Sequence, residues 1–132
     1  MALDLELVEQ SRTRQVKAIF PSTTNHYHTL FGGTALQWMD EVAFIVATRY
    51  SRQKMVTVSL DRIDFKQPIP AGYFAELIGE VVMVGKSSMR VKVDIYLENM
   101  YKDERKLAVS GMFTMVAVGD DKKPVTIRKH EK

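Results

Sequence analysis

LFGGTALQWMDEVAFIVATR, residues 30–49, carries the strongest helical signal in this 132-residue chain. Gly32-Gly33 near its start and Ser51 just past its end frame it, and no glycine or proline falls between them. On a helical wheel Thr34, Gln37, Glu41 and Thr48 share one narrow sector. Phe31, Ala35, Leu36, Trp38, Met39, Val42, Ala43, Val46 and Ala47 occupy most of the remainder. A helix apolar over so much of its circumference has to be wrapped by other structure, so this stretch predicts a core helix around which the chain folds.

Beyond it the apolar period changes from 3.6 to 2. In Ser87 to Glu98, Met89, Val91, Val93, Ile95 and Leu97 alternate with Arg90, Lys92, Asp94, Tyr96 and Glu98, which predicts a strand with one wet face. Tyr73 to Val84 and Lys106 to Val118 are rich in β-branched and aromatic residues in both phases and read as more central strands. Gly85-Lys86 is a tight-turn signal between two strands, and Asn99 to Glu104 a longer polar connection. In Met55 to Phe65 the apolar phase shifts from Val56, Val58 and Leu60 to Ile63 and Phe65, predicting a bulge near Asp61-Arg62. Pro68, Pro70 and Gly72 turn the chain, and Gln15 to Phe20 predicts a short first strand closed by Pro21. One strand, one long buried helix and four strands on short links give an α+β domain with an antiparallel sheet.

With 45% apolar and 27% charged residues, the chain has the composition of one globular domain, and residues 1–132 are expected to form it. The formal +3 charge is unevenly spread. Lys122, Lys123, Arg128, Lys129 and Lys132 stand against Glu131 alone, so residues 122–132 read as a flexible basic tail on a nearly neutral body. Without interleaved aromatics or a basic body, that tail does not make a nucleic-acid footprint. The absence of cysteine excludes disulfides, thiol nucleophiles and cysteine zinc sites. MALDLELVEQ lacks the basic and apolar regions of a secretory signal. The longest apolar run, Val42 to Ala47, is far short of the ~20 residues that cross a bilayer. The expectation is a cytoplasmic protein without membrane insertion.

Several motifs fail on their chemistry. Gly85 to Ser88 resembles the end of a phosphate-binding loop, but Glu80 stands where a glycine is required, and strand follows instead of helix. His26, His28 and Asp40 lack helical metal-ligand spacing, and histidines two apart in extended chain point to opposite sides, so no metal site is expected. No G-x-S-x-G elbow supplies a serine nucleophile. The methionines, Met39, Met83, Met89, Met112 and Met115 among them, fall mostly on apolar faces as core fillers.

Asp40 fits the core reading least well. It sits at the edge of the apolar arc with Leu36 and Phe44 one turn away, whereas Glu41 is in the polar sector. A partly buried aspartate there is either half of a structural ion pair or a tuned catalytic group. Gly32-Gly33 would let a substrate approach the free N–H groups of the helix start, which can stabilise an oxyanion.

Asn25 to Glu41, NHYHTLFGGTALQWMDE, resembles the signature of the hot-dog-fold acyl-CoA thioesterases, the cytosolic acyl-CoA hydrolase group. VTVSLDRIDFKQPIPAG (56–72), VGKSSMRVKVDIY (84–96) and LAVSGMFTMVAV (107–118) are similar to the later strands of that family in order and spacing. Many members have glycine where this chain has His28, at the pocket mouth. The resemblance implies a curved antiparallel sheet around one helix. It also implies dimers joined sheet edge to sheet edge, commonly built into hexamers as trimers of dimers, with sites at the dimer interface where Asn25 faces the partner's Asp40.

It further implies hydrolysis of fatty acyl-CoA to free acid and CoA without a cofactor, CoA being part of the substrate. The amides near Gly32 and Gly33 would hold the thioester oxygen. Asp40 would activate water or attack directly, and Asn25 would orient water or carbonyl. Lys86, Ser87 and Ser88 would meet the CoA nucleotide, and Thr57 and Ser59 would line the pocket. The competing readings are a hot-dog hydratase or dehydratase using His26 or His28 with Asp40, and a non-catalytic acyl-CoA sensor.

Overall fold

The computed structural model describes residues 3–128. In chain order it contains α1 (Leu5–Ser11), β1 (Thr13–Ala18), a 3-10 turn (Pro21–Thr23), α2 (Gly32–Ser51), β2 (Met55–Phe65), β3 (Tyr73–Val84), β4 (Ser88–Asn99) and β5 (Arg105–Ala117). The five strands form one antiparallel sheet in the order β1-β3-β4-β5-β2, and α2 touches all five. This is the hot-dog arrangement, reached because α2 is too apolar to be solvated on more than one side. Met39, Val42, Ala43, Val46 and Ala47 are fully buried against Leu77, Val91, Val93, Ile95, Phe113 and Met115. Each large apolar side chain removed from water contributes roughly 1.5–3 kcal/mol.

Two strand glycines set how closely the helix lies. A Cβ at Gly79 would stand 2.7 Å from Cγ1 of Val42, and one at Gly111 would stand 2.6 Å from Cδ1 of Ile63 and 3.0 Å from Cε of Met39. Their missing side chains let α2 settle onto β3 and β5.

The helix begins two residues later than expected and runs through Ser51, whose hydroxyl donates back to the Ala47 carbonyl (2.8 Å). Arg52 closes it in the left-handed conformation (φ 54°), its N–H donating to the Thr48 carbonyl. The first strand begins at Thr13 and ends at Ala18, and Pro21 opens a 3-10 turn instead of closing the strand. Helix α1 was not anticipated. Asp4 caps it by accepting from the amides of Glu6 and Leu7, and Leu3, Leu7 and Val8 pack on the core. Arg49 ties it to α2 by donating to the carbonyls of Gln10 (2.6 Å) and Arg12 (3.1 Å).

In β2 the pairing with β5 slips twice, between Thr57 and Ser59 and between Leu60 and Arg62. The second slip is the expected bulge, and the first, at Val58, is additional. The basic tail also differs from expectation over its described part. The Val125 amide donates to the Ala117 carbonyl and the Ile127 amide to that of Lys86 (both 2.8 Å), and Ile127 is buried. Alternating Val125 and Ile127 dock this segment as an extended chain, while residues 129–132 lie outside the described residues.

Candidate active site

The start of α2 is left open. Phe31 is the N-cap residue and offers no side-chain hydrogen bond to the first turn. Gly32 and Gly33 are exposed. A Cβ at Gly33 would meet nothing within 4 Å, and one at Gly32 only Phe65 at 3.9 Å. The N–H groups of this turn therefore lack a side-chain cap, face accessible space and sit at the positive end of the helix dipole.

The loop before it is built around Asn25. Its side-chain oxygen accepts from the amides of Tyr27 (2.9 Å) and Thr29 (3.2 Å) and from the Thr29 hydroxyl (3.2 Å). Two backbone donors settle which end of the amide is oxygen, so the NH2 group is the end left to donate outward. It has no protein acceptor among the described residues. His28 occupies the left-handed region (φ 63°), its N–H donating to the Asn25 carbonyl and its carbonyl accepting from Ala71. That backbone shape explains why glycine suits the position. The His28 side chain is exposed, and the structure does not bring it to Asp40. His26 instead lies against Tyr27, the rings tilted by 40° with 4.0 Å between centroids. Among the described residues no group of three or more metal-ligating side chains is assembled.

Asp40 is exposed in the single chain, not partly buried as expected, and makes no ion pair among the described residues. The wheel placed it correctly at the rim of the apolar arc, but the rim abuts β2, an edge strand that leaves the carboxylate open. The Thr57 hydroxyl, from that strand, donates to Oδ1 of Asp40 at 2.6 Å. The same hydroxyl lies 3.2 Å from Sδ of Met115, a thioether that cannot compete with a carboxylate for the proton. The arrangement is an oriented carboxylate whose second oxygen has no hydrogen-bond partner among the described residues. Asp40 is seven residues after Gly33, about 10 Å along the helix.

Ser59 does not join this site. The slip at Val58 aligns Thr57 with buried Met115 but Ser59 with Thr114, so two residues two apart serve opposite faces of the sheet. Ser59 donates to Asp61 (3.2 Å), whose other oxygen takes the guanidinium of Arg90 (2.7 Å). Gly85–Ser88 is a turn closed by the Gly85 amide on the Ser88 carbonyl (2.7 Å), with Lys86 exposed and without an ionic partner among the described residues. Ser88 pairs with Val116 and Val116 with Val56. Two strand spacings, about 10 Å, thus separate the turn from the residue preceding Thr57.

Sequence reading missed an ionic network behind β3. Glu76, 7% exposed, receives Arg14 from β1 and Arg105 from β5, and Arg105 lies over the Tyr96 ring. Burial pushes the Glu76 carboxyl up, but the hydrogen bonds and charges of Arg105 and Arg14 outweigh it and hold the pKa below its ordinary value. The alternation of β3 marks Glu76 as outward-facing, and nothing local names partners so distant in sequence.

Comparison with known proteins places the chain among acyl-CoA hydrolases by family model, by sequence and by fold. The family model described as the thioesterase superfamily matches residues 27–103, more than half of the chain. An uncharacterized acyl-CoA thioester hydrolase of Bacillus subtilis is 37% identical over 90% of this chain and 69% of its own. Among solved structures, a hexameric acyl-CoA thioesterase in its apo form is 39% identical over 94% of this chain and 80% of its own, with a TM-score of 0.89. The acyl-CoA hydrolase of Staphylococcus aureus, solved with butyryl coenzyme A, coenzyme A and coenzyme A disulfide, is 35% identical over 91% of this chain and 73% of its own, with a TM-score of 0.86. That enzyme has also been solved as alanine variants of an asparagine, an aspartate and a threonine.

Proposed function

This chain belongs to the thioesterase superfamily and is an acyl-CoA thioester hydrolase, and we propose that Asp40, Asn25 and the Gly32-Gly33 helix start perform the hydrolysis. The N–H groups of that turn and the NH2 of Asn25 hold the thioester oxygen as charge develops on it. Asp40, aligned by Thr57, takes a proton from water as its oxygen bonds to the carbonyl carbon. The tetrahedral intermediate collapses with cleavage of the C–S bond, and CoA leaves as a thiolate that needs no strong acid. The observation that carries this reading is an exposed carboxylate fixed by a hydroxyl on the same helix as an uncapped, glycine-lined start. Asparagine, aspartate and threonine, in that order, are also the residue types replaced in the Staphylococcus aureus variants.

The working unit is a dimer assembled into a hexamer. Edge strand β2 exposes Val56, Val58 and Phe65, and α2 exposes Phe44 beside it. A second copy across this edge would bury them and bring Asn25 and Gly33 of one protomer toward the partner's Asp40. Each chain contributes one catalytic domain, and Lys86 with Ser87 and Ser88 meets the CoA phosphates. No helix among the described residues is long and apolar enough to cross a membrane. A cytoplasmic setting, with no cofactor, accords with a cysteine-free chain acting on CoA thioesters.

Because the protein has no thiol of its own, release of CoA is read directly with a thiol reagent. Turnover across short, medium and long acyl chains is expected. Tight acyl-CoA binding without thiol release would identify a sensor instead.

A further inference from the structure

Gly33, Gln37, Asp40 and Phe44 fall within about 60° of arc on α2. All four are exposed in the single chain. Between Gly33 and Asp40 no other residue shares that arc. Gln37 stands about 6 Å beyond Gly33 along the helix axis and about 4.5 Å before Asp40. Its side chain makes no hydrogen bond or ion pair among the described residues. A glutamine on an open helix face is ordinarily just solvated. This one shares its arc with Phe44, beside the exposed Val56 and Val58 of edge strand β2, where a second copy would cover it.

One chain cannot complete the site by itself. The N–H groups of the first turn point out of the helix start, away from Asp40, which lies about 10 Å further along. A single carbonyl therefore meets the donors of one chain and the carboxylate of the other. A two-fold axis that joins β2 to its own copy in one sheet stands normal to that sheet and reverses every direction lying in it. The two copies of α2 then run antiparallel. With Gly33 opposite the partner's Asp40, the axis crosses between positions 36 and 37. Gln37 thus comes to lie at the centre of the covered strip, one turn from the carboxylate of its own chain.

The attacking water has two protons to place. Oδ2 of Asp40 takes one as the water oxygen bonds to the carbonyl carbon. The other needs an acceptor in a site from which bulk water is excluded. The Thr57 hydroxyl is committed to Oδ1 of Asp40, the Asn25 oxygen already accepts from Tyr27 and Thr29, and Ser59 serves the opposite face of the sheet. We propose that Oε1 of Gln37 accepts from that second O–H, holding the water against Asp40 with a lone pair aimed at the thioester carbon. This proton stays on the oxygen and leaves with the acid product, while the first passes to Asp40 and the C–S bond breaks to release the thiolate. A neutral amide orders the water without the like charge that would raise the Asp40 pKa. The assignment rests on the two-chain hydrolase reading above and deepens it.

Hydroxylamine attacks a thioester without needing a general base, so offering it beside water separates holding the water from building the pocket. Acid, hydroxamate and free CoA are measured on the intact oligomer, with the uncatalysed reaction subtracted. In Gln37→Leu, acid formation is expected to fall about tenfold, the worth of one hydrogen bond, while hydroxamate formation and KM hold. The ratio of hydroxamate to acid then rises by the same factor. Gln37→Glu keeps an acceptor and should restore most of the acid formation at high pH, with the acid limb of its kcat profile moved to higher pH by the charge beside Asp40. With an active wild type, an unchanged ratio in Gln37→Leu overturns this proposal alone, whether both rates hold or both fall. A wild type that turns over as a monomer in analytical ultracentrifugation also overturns it, since Gln37 is then a solvated residue. Absence of thiol release from the wild type would overturn the hydrolase reading beneath it.

Discussion

The hydroxyl of Thr57 on an edge strand donates to Oδ1 of Asp40 on the central helix across 2.6 Å. This bond fixes the carboxylate while leaving Oδ2 for a second partner. Asp40→Ala is expected to lower kcat by at least ~100-fold, because the group proposed to activate water is gone. Thr57→Val should cost about tenfold, the worth of one hydrogen bond, and Thr57→Ser should restore most of it. Steady-state thiol release on the purified variants checks all three, with size-exclusion chromatography confirming unchanged assembly.

Asn25 has separable duties at its two ends. Asn25→Asp keeps the oxygen that accepts from Tyr27 and Thr29 but replaces the outward donor with a second acceptor. Activity should fall on the order of 100-fold, as when one oxyanion donor is lost, while the denaturation midpoint moves little. Asn25→Ala should lose both activity and stability, since the loop amides lose their acceptor.

His28 sits at φ 63°, where a side chain crowds its own backbone. His28→Gly should be neutral or stabilising by up to about 1 kcal/mol, the steric relief partly offset by unfolded-state entropy. His28→Val should destabilise by about 1–2 kcal/mol, because a β-branched residue tolerates that region poorly. Urea unfolding of the two variants tests this, and equal midpoints would contradict it.

Glu76 gives the fold an acid limit. Its folded pKa is depressed, so its stabilising contribution is complete above the unfolded value near ~4.3 and is lost as pH falls through the lower folded one. Glu76→Gln should cost about 1–2 kcal/mol at pH 7, modest because Arg14 and Arg105 are largely solvated. Its stability should fall less steeply than that of the wild type below about pH 4, which unfolding curves across that range would show.

Most of the architecture was legible because it is periodic. The apolar circumference of α2 announced a wrapped helix, β4 showed its faces by alternation, and β3 and β5 read as central strands from apolar residues in both phases. Helix α1 escaped because seven residues are too few to establish a period, and Asp4 was the one available signal. Ser59 was misplaced by a bulge, since a single extra residue at Val58 reverses the phase on which strand reading depends. The docking of residues 122–128 was hidden by their charge, although Val125 and Ile127 already alternate as a strand does. Gly79 and Gly111 read as ordinary strand residues because close approach to Val42 and Ile63 is a tertiary fact. Asp40 stood out at the rim of the apolar arc and Gly32-Gly33 at the helix start, while Asn25 was named only through the family resemblance; the Thr57 bond to Asp40 was hidden because a strand 17 residues on brings it there through the fold.

The two slips in β2 bear on how chains choose their neighbours. A long, flat, apolar margin would recruit any extended peptide that collided with it, during synthesis as well as afterwards. Interrupted at Val58 and again before Arg62, this margin offers a stranger only short runs of matching ladder. A copy of the same chain brings the same interruptions and meets them at matched places under two-fold symmetry. In the proposed dimer the irregularity would therefore favour a copy of the same chain over an unrelated extended segment.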